Sequence, residues 1–184
     1  STQAPTATAL VGPNFRSIAP TSTPSRSFPS INTALAGTTN SNGIVSSTWE
    51  RLPAVSRSMK FIATVRDNNA VNGGQTAASE LTVTFANAGP VLITLPNNTA
   101  RTGNLTFAHG SQGTITWNVA GTTANGINTS NVNILLSTDN GNTYTTLAAN
   151  TPNDGSQVVT IPTLSTPTNQ ARIKIEAVGN IFYT

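Results

Sequence analysis

Apolar and polar side chains alternate along this chain with a period of two, and the alternation is clearest between Met59 and Arg66. Met59, Phe61, Ala63 and Val65 fall on one side, and Lys60, Ile62, Thr64 and Arg66 on the other. That period is the mark of a half-buried β-strand. The polar stretches Asp67-Asn68-Asn69 and Asn72-Gly73-Gly74 then read as a turn, and Glu80–Phe85 returns with Leu81, Val83 and Phe85 on the core side, closing a hairpin. Asn87-Ala88-Gly89-Pro90 is the natural boundary, because proline cannot donate to a sheet ladder. Beyond it, strands are expected at Val91–Leu95, Gly113–Val119, Asn131–Ser137, Thr143–Leu147, Gln157–Ile161 and Ala171–Val178. Ile115, Trp117, Val119, Val132, Ile134, Leu136, Ile173 and Ile175 should supply the core. Residues 1 to 57 carry no such period. Pro5, Pro13, Pro20, Pro24, Pro29 and Pro53 exclude a long helix there, and Leu10, Phe15, Ile18, Phe28, Ile31, Leu35, Trp49 and Leu52 are spaced as single anchors of an arm laid over a sheet. The segment Ala36–Ser47 reads as a loop. Short strands with turns roughly every ten residues argue for an all-β protein of two tandem immunoglobulin-like or fibronectin-III-like sandwiches, over 1–88 and 89–184.

Composition narrows the chemistry. The 184 residues hold no cysteine, so disulfides, thiolate zinc sites and cysteine nucleophiles are excluded together. Only 8% of residues are charged, and the nine lysines and arginines are scattered, without the clustering that a nucleic-acid footprint needs. No apolar run reaches the length of a membrane span. A neutral, Thr- and Asn-rich surface suits a secreted or cell-surface protein. The chain starts at Ser1 without an apolar leader and reads as a mature or excised fragment.

The most distinctive motif is Ser137-Thr138-Asp139-Asn140-Gly141-Asn142-Thr143-Tyr144, which fits the S-x-D-x-G-x-T-[WY] pattern of an Asp box. Its mechanics are structural: Gly141 supplies the positive φ of a tight turn, Asp139 accepts backbone N–H groups, and Thr143 and Tyr144 pack the next strand. His109, the one histidine, sits in a turn with no nucleophile motif around it, and reads as solvated. Calcium would have Asp67, Glu80 and Asp154 as its candidates, with Asp67 and Glu80 meeting across the hairpin base. Neither oxygen-rich turn carries two carboxylates of its own, however, and Asx-turn bonding is the simpler reading. Lys60 and Lys174 alternate onto outward faces. An intramolecular isopeptide bond requires a buried lysine beside an asparagine and an acid, so both read as solvated strand lysines. Phe182 and Tyr183 read as a last strand packing on the sandwich, with an exposed sugar-stacking platform as the alternative. Asn97, Asn104 and Asn128 each begin an N-x-[ST] triplet, as expected by chance in so Asn- and Thr-rich a chain.

Several phrases carry a family resemblance. Gly12-Pro13-Asn14-Phe15-Arg16-Ser17, Trp49-Glu50-Arg51-Leu52-Pro53, Phe61-Ile62-Ala63-Thr64-Val65-Arg66-Asp67-Asn68, Thr116-Trp117-Asn118-Val119-Ala120-Gly121-Thr122-Thr123, Asn133-Ile134-Leu135-Leu136-Ser137-Thr138-Asp139, Pro152-Asn153-Asp154-Gly155-Ser156-Gln157, and Ala171-Arg172-Ile173 with Val178-Gly179-Asn180-Ile181-Phe182-Tyr183 stand in this order. Together they resemble the region downstream of the catalytic domain in secreted reprolysin-like zinc metalloproteases of Bacteroidetes-type bacteria. The resemblance covers nearly the whole chain. It implies a non-catalytic accessory region that stabilises, docks or places substrate for an upstream catalytic domain, whose H-E-x-x-H zinc helix has no counterpart here. No catalytic residue, and no cofactor, carries over. It also implies that the first sandwich begins before Ser1, which would leave the first domain incomplete and with an open edge. The rival expectation is a cell-surface adhesin or glycan-binding module.

Overall fold

The alternation read from the sequence becomes ten antiparallel strands in the computed structural model, which describes residues 5–31, 46–47, 50–69, 71–96 and 106–184. They are β1 (Ser46–Ser47), β2 (Glu50–Arg51), β3 (Arg57–Arg66), β4 (Thr76–Phe85), β5 (Leu92–Leu95), β6 (Gln112–Asn118), β7 (Asn131–Ser137), β8 (Thr145–Pro152), β9 (Ser156–Thr160) and β10 (Arg172–Ala177). The chain is an all-β protein with sandwich architecture, and it separates into two compact units between Asn87 and Ala88. The anchors Leu35 and Trp49, residues 36–45 of the expected loop, and the triplet asparagines Asn97 and Asn104 lie outside the described residues.

In the first unit, β3 and β4 form a ten-rung hairpin running from Arg57↔Phe85 to Arg66↔Thr76. β4 starts four residues before the expected Glu80, because Thr76-Ala77-Ala78-Ser79 is made of small side chains and shows no alternation to read. One face of the hairpin carries Met59, Phe61, Val83 and Phe85, and it is covered at this end by an aromatic cluster. Phe28 lies 4.9 Å from Phe15 and 5.0 Å from Phe61 between ring centres, and Arg26 stacks 4.3 Å over Phe28. Single aromatic anchors thus pin the arm, as its spacing suggests. Leu10 and Ile18 do not: they are 69% and 55% exposed.

The deepest anchor of the arm is an amide instead. Asn14 is fully buried; its Nδ2 donates to the Arg51 carbonyl at 2.9 Å, and its Oδ1 accepts from Arg57 Nη1 at 3.1 Å. Arg57 also donates to the carbonyls of Ala9 and Gly12, both at 2.7 Å. One guanidinium therefore gathers three points of the arm, using the fork of donors that only arginine has. Glu50 adds a second tie, with Oε1 2.9 Å from Arg26 Nη2 and Oε2 accepting from the Ser30 N–H at 2.9 Å.

The second unit is built from two three-stranded sheets, in the orders β5-β6-β9 and β10-β7-β8. Their inner faces share one core of Val91, Ile115, Trp117, Val132, Ile134, Val159, Ile161 and Ile175. Ile115, Trp117, Val132, Ile134 and Ile175 are found there as expected, because strict alternation sets every second side chain inward, while Leu136 is buried but outside this cluster. Val119 and Ile173 pack against the same core from its margin. Phe182–Thr184 ladder onto the free edge of β10, with the Thr184 N–H donating to the Ile175 carbonyl at 2.9 Å. β8 runs on to Pro152, further than expected, through irregularities in its register with β7 and a positive φ at Asn150 that periodicity cannot show.

The core also holds a polar centre. Trp117 Nε1 donates to Asn153 Oδ1 at 2.8 Å, and Asn153 Nδ2 donates to Thr122 Oγ1 at 3.1 Å and to the Thr129 carbonyl at 3.0 Å. Asn153 is 4% exposed, so each of its polar atoms needs these partners. Gly155 makes the approach feasible: its φ is +98°, and a Cβ there would stand 3.1 Å from the Trp117 carbonyl oxygen. Replacing Asn153 with Ala should orphan the buried Trp117 indole N–H and cost about 1–3 kcal/mol, the range for a buried donor left without an acceptor. Urea unfolding followed by tryptophan fluorescence measures it, and a loss below about 0.5 kcal/mol would contradict the assignment.

Candidate functional site

The Asp-box loop closes the β7–β8 hairpin, and its geometry is that of a cage around one carboxylate. Asp139 Oδ1 accepts the Thr143 N–H at 2.9 Å, the Asn142 N–H at 3.1 Å and the Ser137 hydroxyl at 2.7 Å. Asp139 Oδ2 accepts the Thr143 hydroxyl at 2.6 Å. The Ser137 oxygen, itself buried, accepts the Gly141 N–H at 2.7 Å. Asn140 and Gly141 take φ values of +60° and +86°, which explains the Asx-Gly pair at the tip. The loop is moored from outside as well: the Asn140 N–H donates to the Gln170 carbonyl at 3.0 Å, and the Thr168 hydroxyl to the Thr138 carbonyl at 3.2 Å. The hydroxyl and N–H of Thr143, with the Ser137 hydroxyl, hold the Asp139 carboxyl down at about 2. Both oxygens are committed to the loop, which is a structural role for Asp139, Gly141 and Thr143.

Tyr144, the last residue of the motif, leads to a second cluster, on the outer face of the β10-β7-β8 sheet. Lys174 Nζ lies 4.5 Å from the Tyr144 ring centre and 5.9 Å from that of Tyr183, and 2.9 Å from Glu176 Oε2. The Lys174 side chain is only 20% exposed. This corrects the expectation of a solvated lysine. Alternation gives the correct face, but two tyrosines from distant parts of the chain cover it, and period two carries no information on that. Burial pushes the Tyr144 phenol up, with the Lys174 charge pulling against it. Lys60, by contrast, is the exposed strand lysine expected, 69% exposed and paired with Glu80 at 2.8 Å.

The calcium candidates do not come together. Asp67 lies just beyond the Arg66↔Thr76 rung, whereas Glu80 pairs with Ile62, four rungs along the ladder. Asp67 is thus five positions from Glu80, and at roughly 3.3 Å per residue that is about 17 Å, too far for one ion. Glu80 is committed to Lys60, and Asp67 Oδ1 accepts the N–H groups of Gln75 and Asn69 at 2.9 and 3.1 Å. Those bonds, that of Asn69 foremost, lower the Asp67 carboxyl below its usual value. Asp154 lies in the other unit and caps its own turn through the Ser156 N–H at 3.2 Å. Its neighbour Asn153 is a core residue, so the Asn153-Asp154-Gly155 turn is organised from inside. Among the described residues, no three His, Cys, Asp or Glu side chains stand close enough to hold a metal ion. His109 is exposed in the turn before β6, with no hydroxyl or carboxylate bonded to it among the described residues. Phe182 packs against the core and Tyr183 faces Lys174, so neither ring belongs to a flat exposed platform. No helix among the described residues is long and apolar enough to cross a membrane.

The chain matches no protein-family profile, no curated protein and no solved structure.

The Asp139 cage has a pH signature. With a folded value of about 2 against the ordinary 3.8, the carboxylate stabilises the fold fully above about 3.8, and that contribution fades as the pH falls through about 2. Asp139→Asn should lower the melting temperature at pH 7 and flatten its fall between pH 4 and pH 2 relative to the parent chain. Thermal melts across that range give the comparison, and two parallel curves would contradict the cage.

Proposed function

We propose that this chain is a non-catalytic accessory region of a secreted bacterial zinc metalloprotease and that it works by contact. The second unit gives a stiff immunoglobulin-like frame, and the β3–β4 hairpin offers the surface on which the catalytic partner docks. The observation that supports this reading is the uneven cover of that hairpin. At one end its apolar face is buried under Phe15 and Phe28. Toward the turn the same face continues through Ala63, Val65, Ala77 and Leu81, and there Val65 is 69% and Leu81 59% exposed.

An isolated two-stranded hairpin is marginal in water, and an apolar strip continuous with a packed cluster is suited to a partner. Among the described residues neither β3 nor β4 pairs with a further strand, so both outer edges carry backbone groups able to receive one. The face away from the cluster carries the Lys60–Glu80 pair, a 3.0 Å bond between the Ser58 and Thr84 hydroxyls, and Ile62 as a single exposed apolar side chain. The rival reading, a glycan-binding adhesin, needs coplanar exposed rings. Phe15, Phe28 and Phe61 pack on one another edge-on or tilted, and Tyr144 and Tyr183 flank Lys174, so these rings do not favour it.

The coding sequence preceding Ser1 should specify an H-E-x-x-H helix, and a region without one would sink the accessory reading. Given that catalytic domain, Leu81→Asp should weaken its binding to this chain by at least about tenfold, near 1.4 kcal/mol, in calorimetric titration. The free chain should lose no more than about 0.5 kcal/mol of stability, as for an exposed position. An unchanged affinity would contradict docking at this face.

A further inference from the structure

Across one strand pair on the outer face of the second unit, a lysine, an asparagine and a glutamate meet. β10 sets Glu176 directly opposite Asn133 of β7, and Lys174, two residues earlier on β10, rises on the same face. Glu176 bridges the other two. Its Oε2 takes the Lys174 ammonium at 2.9 Å, and its Oε1 accepts from Asn133 Nδ2 at 3.4 Å. The other half of the Asn133 amide is held too, with Oδ1 accepting the backbone N–H of Asn150 on β8 at 2.9 Å. A carboxylate only accepts and a backbone N–H only donates, so these two partners fix which end of the amide is the oxygen. The tyrosine cover described above keeps the lysine partly out of water.

We propose that Lys174 and Asn133 form an intramolecular isopeptide cross-link, with Glu176 as the proton carrier. Lys174 Nζ gives a proton to Glu176 Oε2, and the neutral amine attacks Asn133 Cγ. The charge that gathers on Oδ1 is met by the Asn150 N–H, already placed as an oxyanion donor. Glu176 protonates Nδ2 and takes the surplus proton from Nζ. The Cγ–Nδ2 bond breaks, the Nζ–Cγ bond remains, and the departing ammonia takes the proton from Glu176 and leaves as ammonium. Nothing is oxidised or reduced, and no co-reactant is needed. The strand register supplies the proximity that makes an otherwise slow aminolysis an intramolecular one, and one carboxylate touching both nucleophile and leaving group supplies the acid–base relay. An ordinary surface ion pair would have no use for an amide whose carbonyl oxygen is held by a backbone donor and whose nitrogen is held by the same carboxylate. In a chain without cysteine the bond would tie β10 to β7 covalently and constrain the unfolded chain much as a disulfide does.

Intact-mass spectrometry of the purified full chain, followed by protease mapping, tests this directly. The folded chain should weigh one ammonia less than its sequence requires. Trypsin should fail to cut after Lys174, and a branched peptide should join the segments bearing Lys174 and Asn133. Lys174→Arg, which keeps the positive charge beside the tyrosines, and Glu176→Gln should each show the full sequence mass and no branched peptide. A folded parent chain of full mass, with Lys174 cleaved normally, would overturn the assignment. So would an ammonia loss that persists in Lys174→Arg, because Asn-Gly pairs such as Asn140-Gly141 lose ammonia by closing a succinimide without any lysine.

Discussion

A buried amide that must satisfy all its hydrogen bonds is the constraint around which each half of this chain is arranged. In the second unit the amide is Asn153. It receives the Trp117 indole from the β5-β6-β9 sheet and donates to Thr122 and to the Thr129 carbonyl, in the segment between β6 and β7. In the first unit it is Asn14, held between the Arg51 carbonyl and the Arg57 guanidinium. A satisfied buried hydrogen bond adds only about 1 kcal/mol, but an unsatisfied one costs more than that, so such an amide selects one arrangement of its surroundings over the alternatives. With 36% hydrophobic residues and no cysteine, the chain has little else to select with.

The same economy explains the surface. Loops are held by their own polar side chains: Asp139 by Ser137, Asn142 and Thr143; Asp67 by Asn69 and Gln75; Asp154 by Ser156. Asp139 uses both of its oxygens on donors within its own loop, and Asp67 and Asp154 each use one. Acids bound in this way hold their turns in place. On the reading proposed above, the chain acts through the surface it presents, and the incompletely covered apolar face of the β3–β4 hairpin is that surface.

Much of this was legible in the sequence, and the failures have a common physical cause. Period two placed Ile115, Trp117, Val132, Ile134 and Ile175 inside, because one face of each strand must be buried and a slip of one residue would expose them all. The backbone donors to Asp139 and the positive φ of Gly141 could be read in the Asp box, since they lie within a few residues, whereas its mooring to Thr168 and Gln170 could not. What stayed hidden depends on partners far apart along the chain. Leu10 and Ile18 have the composition of anchors and are exposed, whereas Asn14 is the anchor, and nothing local marks it. Lys174 alternates outward as its position requires, yet Tyr144 and Tyr183 cover it. Asp67 and Glu80 look like neighbours at a hairpin base until the register sets them five positions apart. Asn153, read as a turn residue, is a core residue because Trp117 needs an acceptor. A period reports which side a residue takes, and only tertiary packing reports what waits there.

The most direct measurement of this account is native-state hydrogen exchange at the Trp117 indole N–H. If the Asn153 amide is the polar centre on which the sandwich closes, that proton exchanges only through global unfolding of the unit, with the same free energy as the slowest backbone amides of the central strands β6 and β7. Exchange of the indole proton orders of magnitude faster than those amides would mean that the bond opens on its own, and that the sheets are held in register by apolar packing without it.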